Sequence, residues 1–286
     1  MAKFFITGDS NACGEWGHED SPQYGHKVST RGYVVTHTGT QHWLTEAGHF
    51  AIRQGFPGGS NHTAMNHLEN GMFYATQHHG IKLEDDRAKM SCDVHGFGDS
   101  WKTIEDFDAI IFFWSGPCRD IPSMITDPSI FLLEQSKTGG ITIDKWGHWN
   151  ELLSFMMVSR MILFSSKKRI PLYLIGAQQK LPPWVYDFKN EYFIPLIRSV
   201  VELCHPDISI PRYTDFQVGA RWKTDGVDSF KKDGRNHFSE EMMDLILDVT
   251  NNYWPKLASS HVSNDAHPDR WAHKKVTDLI LESINF

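Results

Sequence analysis

The chain has 286 residues, of which 40% are hydrophobic, 13% aromatic and 22% charged, a mix that fits a folded protein and excludes a disordered or fibrous one. Lysine and arginine number 28 against 35 for aspartate and glutamate, and the formal charge of -7 argues against a broad electrostatic grip on nucleic acid or an anionic lipid surface. No run approaches the roughly 18 apolar residues of a membrane helix, and the apolar stretch after Lys3 is too short for a secretory signal, so the expected location is cytoplasmic or otherwise not exported by that route.

Lys3 to Thr7 reads as a short buried strand ending at Gly8, followed by a polar stretch over 14–43. Phe50 to Arg53 is a second strand. After Phe56-Pro57-Gly58-Gly59, Ser60 is placed to cap a helix on which Ala64, Met65, Leu68, Met72 and Ala75 recur at 3.6-residue spacing. A second polar stretch, 78–100, precedes the third strand, Ala109 to Trp114. Trp149 to Phe164 is apolar nearly all round, which predicts a helix largely buried against a sheet. Pro171 to Ile175 is a fourth strand, and Trp184 to Cys204 has a helical pattern that Pro195 would kink. A third polar stretch covers 212–236, and the chain closes on a helix with Ala272, Val276, Leu279, Ile280 and Ile284 on one face.

Short apolar strands alternating with helices predict an α/β fold, a three-layer α/β/α sandwich with a mostly parallel central sheet. The expected organisation is one domain over 1–286, with the three polar stretches as insertions laid over the edge where strand C-termini meet and ligands bind. Cys13, Cys92, Cys118 and Cys204 stand far apart without a CxxC pair, so free thiols are expected rather than a disulfide framework or zinc ribbon.

The sharpest chemical signal is Phe4-Phe5-Ile6-Thr7-Gly8-Asp9-Ser10, a buried strand running into a turn that presents a serine at the carboxyl edge of the sheet. A serine there is either a turn former or a nucleophile, and as a nucleophile it needs a base and N–H donors for the oxyanion. Asp9 is placed to hold the turn through backbone N–H groups, with Asn11 as a local donor.

Gly8-Asp9-Ser10-Asn11 after the first strand resembles the first block of the SGNH/GDSL hydrolase superfamily. The fold that this implies is a flavodoxin-like three-layer sandwich. In a second block the resemblance makes Gly58 of Ala51 to Ser60 an oxyanion donor beside the N–H of Ser10. The third block departs: Ala109 to Trp114 leads into Ser115-Gly116-Pro117-Cys118-Arg119-Asp120, without the family's asparagine, and Arg119 is a candidate binding residue near the same edge. Two segments resemble the closing Asp-His block. Asp265 and His267, before the last helix, are the preferred triad partners; Asp233 and His237 are the alternative.

The resemblance implies a serine esterase or deacetylase that works through an acyl-enzyme without a cofactor, on a small-molecule or glycan ester. Ten tryptophans point to acetylated carbohydrate, with Trp16, close after the turn, as a stacking candidate beside Trp43, Trp101 or Trp114. His62, His67, His78, His79 and Asp93-His95-Asp99 are ligand types, but HExxH and CxxC are absent, so no metal is expected; GxGxxG and GxxxxGK are absent too. The rival reading is a non-catalytic binding or structural protein with a degenerate SGNH-like site.

Overall fold

A computed structural model of the chain describes residues 1–14, 39–56, 60–71, 103–116, 142–177, 179–207, 241, 244 and 268–284. Five strands, β1 (Lys3–Asp9), β2 (Phe50–Phe56), β3 (Ala109–Trp114), β4 (Leu172–Gly176) and β5 (Phe193–Ile197), form one all-parallel sheet in the order β2-β1-β3-β4-β5. Parallel strands buried on both faces need apolar side chains in both directions. Phe5, Phe112, Trp114 and Leu174 accordingly face one core, while Phe4, Ile6, Phe113 and Ile175 face the other.

Helices cover both faces and make the three-layer α/β/α sandwich. The first face carries α2 (Asn61–Glu69) and α3 (Ile143–Lys168), which contribute Met65, Leu68, Met157 and Met161 to its core. On the other lie α1 (Thr40–Glu46), α4 (Val200–Cys204) and α5 (Arg270–Ser283), through Leu44, Val200, Ala272, Val276 and Ile280. Side-chain caps fix several starts: Ser60 Oγ accepts from Thr63 N, Thr142 Oγ1 from Lys145 N, and Asp269 Oδ1 from Ala272 N. Each such cap contributes about 1 kcal/mol.

Several expected elements change. The turn after β1 begins at Ser10, and the helix α1 takes Thr40 to Trp43 out of the expected polar stretch. The helix α2 ends at Glu69 with Asn70 as its cap, short of Met72, and Ala75 lies outside the described residues. The helix α3 is longer than expected and buries one side only: Leu153, Met157 and Met161 are inside, whereas Leu152, Phe155, Met156 and Leu163 are exposed.

No kinked helix spans Trp184 to Cys204. That segment holds a 3₁₀ turn (Pro183–Phe188), the strand β5 and the short helix α4. Phe193, Pro195 and Ile197 are buried and alternate with Ile194 and Leu196, the period of a strand. Pro195, which has no N–H, is accommodated because β5 lies at the edge of the sheet among the described residues, and the register slips beside it, Leu174 facing Pro195 and Ile175 facing Ile197.

Candidate active site

The strand order reverses direction at β1, whose successor β2 lies on one side and β3 on the other. The crevice at the carboxyl ends of β1 and β3 is therefore the topological switch point of the sheet, where doubly wound folds bind ligands. Ser10 follows β1 directly, as the first residue of a 3₁₀ turn (Ser10–Cys13) packed against β2 and β3.

Two neighbours hold that turn. Gly8 has φ of 136°, and a Cβ there would stand 2.4 Å from the carbonyl oxygen of Phe113, so the close approach of β1 to β3 admits no side chain. Asp9 is buried, and its Oδ1 accepts from both the backbone N–H of Asn11, at 2.9 Å, and the Asn11 side-chain amide, at 2.8 Å. These bonds agree with the structural role expected for Asp9 and with Asn11 as a local donor.

The end of β3 is fastened separately. Asn61, fully buried at the start of α2, accepts from Ser115 N at 2.8 Å through Oδ1 and donates Nδ2 to Ser115 O at 3.0 Å. One amide thus reads both backbone groups of Ser115, continuing the ladder beyond the strand. The sequence offered only a weak signal for this, an asparagine directly after a helix cap. Gly116 then lies under Gln179, whose Nε2 would stand 2.8 Å from a Cβ at that position.

The start of α5 comes to the same edge. His273 is buried, with Nδ1 3.1 Å from Thr40 Oγ1 and its ring edge-on to Phe113, the penultimate residue of β3. Trp43 stacks on Trp271 and donates Nε1 to Arg270 O at 2.8 Å, so this tryptophan ties α1 to α5. His273 was missed because it stands among the apolar positions of an amphipathic helix.

Gly58, Arg119, Trp16, Asp233, His237, Asp265 and His267 lie outside the described residues, as do Trp101, His78, His79 and Asp93 to Asp99. In the chain Gly58 falls between Phe56, the end of β2, and Ser60, the cap of α2, and His267 directly precedes Pro268. His62 lies against Arg160 Nη1 at 3.0 Å, within a cluster in which Arg160 also binds Glu69 through two nitrogens and so ties α2 to α3. Among the described residues no three metal-ligating side chains gather, and no helix is long and apolar enough to cross a membrane.

Comparison of the chain with protein-family models, with curated proteins and with solved structures found no match.

Proposed function

We propose that the chain is a serine-dependent ester hydrolase of the SGNH/GDSL type, with Ser10 as nucleophile. The observation that carries this is the position of Ser10: at the carboxyl end of a central parallel strand, at the switch point, in a turn held by Gly8 and the Asp9–Asn11 bonds. A turn braced in this way holds the Ser10 backbone fixed, the preorganisation that an oxyanion donor requires.

In this reading Ser10 Oγ attacks the ester carbonyl while His267 takes its proton, and Asp265 holds the imidazole tautomer and stabilises the imidazolium. The N–H groups of Ser10 and Gly58 receive the negative charge on the carbonyl oxygen. The tetrahedral intermediate collapses, the C–O bond to the alcohol breaks, and His267 returns the proton to the leaving oxygen. Water then attacks the acyl-serine by the same path, releasing the acid. The location of α5 supports His267 over His237, since Pro268 and Asp269 precede a helix whose start packs beside the end of β3. The favoured substrate is an acetylated carbohydrate, handled without a cofactor and away from membranes, in the cytoplasm or another place not reached by a signal-peptide route.

The missing third-block asparagine removes one oxyanion donor, a change that costs about 10²–10³ in rate where such donors are mutated. Turnover is thus expected to be slow. Hydrolysis of p-nitrophenyl acetate by the wild-type chain and a folded Ser10→Ala variant tests the proposal: loss of turnover in the variant supports a serine esterase, and equal rates turn the reading toward a non-catalytic binding protein. His267→Ala and His237→Ala then decide the base.

A further inference from the structure

Beside the switch point, on the α3 face of the sheet, is a cavity of about 160 Å³ between the end of β3, α3 and the segment after β4. Trp114, Asn150, Ser154, Gln179, Lys180 and Arg198 are in its lining. Trp114, Asn150, Ser154 and Gln179 are each more than nine-tenths buried. Among the described residues, neither the indole N–H of Trp114 nor the hydroxyl of Ser154 makes a hydrogen bond, and neither atom is sealed from solvent. An apolar occupant would strip solvent from these donors without replacing it, so a lining of this kind calls for a polar occupant.

Charge narrows the class. Lys180 lies 3.3 Å and Arg198 3.9 Å from the same carboxylate, Glu202, which offsets one of the two positive charges. Glu151, also in the lining, accepts from Trp184 Nε1 at 2.7 Å and adds a further negative charge. Among the described residues these four charges balance, and a free anion finds no net positive charge. The two amides and the serine hydroxyl each donate and accept, which is the pattern that matches hydroxyl groups. The volume corresponds to about five waters, the scale of one small ring.

We infer that this cavity binds a single neutral, hydroxyl-rich ring of monosaccharide size and forms the alcohol-side subsite of the esterase. The second half of that statement rests on the ester-hydrolase reading, because it needs Ser10 one strand away on β1; the binding itself does not. Ser10 and Ser115 each stand two residues beyond Gly8 and Phe113, the last pair that β1 and β3 form with each other, and Trp114 immediately precedes Ser115.

The test is saturation-transfer NMR with the full chain and unacetylated glucose, galactose, mannose and xylose, using inorganic phosphate and cyclohexanol as contrasting probes. Trp114→Phe keeps an aromatic ring, though a smaller one, and removes the N–H, and Ser154→Val removes the hydroxyl; circular dichroism and thermal melting check that each is folded. The expected result is saturable binding of at least one sugar, weakened about tenfold by whichever folded variant is measured, as loss of one hydrogen bond implies. No saturable sugar binding at millimolar concentration, binding unchanged in a folded variant, or binding of phosphate or cyclohexanol in place of the sugars would overturn it. Sugar binding without Ser10-dependent ester turnover would keep the sugar site and reject its role as an esterase subsite. Ser10-dependent turnover without sugar binding would reject the cavity and leave the esterase standing.

Discussion

One oxygen of the Asp9 carboxylate receives two hydrogen bonds from Asn11, one from its backbone and one from its side chain, and thereby closes the turn that begins at Ser10. Asp9 is buried, so this pairing is shielded from water and from salt. Asp9→Ala leaves two buried donors of Asn11 without their acceptor. The expected loss of stability is about 3 kcal/mol, read by urea denaturation, together with loss of any esterase activity. Asp9→Asn, which retains an acceptor oxygen, is expected to lose less; equal stability of Asp9→Ala and wild type would refute the bracing role.

Gly8 is tested by one added methyl group. Gly8→Ala places a Cβ against the Phe113 carbonyl at a φ that L residues rarely adopt. Strained backbone and overpacking each cost about 1–3 kcal/mol, so the variant should be strongly destabilised or fail to accumulate as soluble protein. A Gly8→Ala chain with wild-type melting temperature would show that β1 and β3 do not approach so closely.

The Asn61–Ser115 pair makes a prediction that separates packing from hydrogen bonding. Asn61→Asp keeps an acceptor for Ser115 N but sets a carboxylate oxygen where an amide donated to Ser115 O. It should destabilise by about 2–3 kcal/mol, as much as Asn61→Ala, despite its near-identical shape. Guanidinium unfolding of both variants measures this, and a neutral Asn61→Asp would contradict the latch.

These residues also mark where the sequence was informative. The strand at Ala109 to Trp114 has the expected bounds, because an unbroken apolar run has few alternatives in a parallel sheet. Ser60 caps its helix as its residue type predicts. Pro195 misled because proline is read first as a helix breaker, while an edge strand admits it through the N–H it lacks. The exposed side of α3, with Leu163 at 72% exposure, was illegible because apolar composition does not say which face a neighbour covers. At the site, the turn chemistry of Asp9 was legible as local contact, whereas Asn61–Ser115, 54 positions apart, depends on the fold already being formed.

Cys204 yields a prediction about reactivity and pH. Burial pushes its thiol up to about 11, with Lys275 opposing and Asp269 adding to the effect. A thiol titrating near 11 rather than 9 carries about a hundredfold less thiolate at pH 8. Iodoacetamide should therefore modify Cys204 about a hundredfold more slowly in the folded chain than in urea, as peptide mass spectrometry would follow. Because the folded state favours the protonated thiol, its contribution to stability is intact below pH 9 and is lost as pH rises toward 11. Equal alkylation rates in folded and unfolded protein would contradict this.

The most direct test of Ser10 as nucleophile is covalent capture by a fluorophosphonate, which reacts with serines activated by a base and an oxyanion site. Digestion and peptide mass spectrometry of the treated full-length chain should find one phosphonyl adduct, on Ser10, absent after treatment of a folded Ser10→Ala variant. An unlabelled chain, or labelling at another serine that persists in Ser10→Ala, would contradict the account.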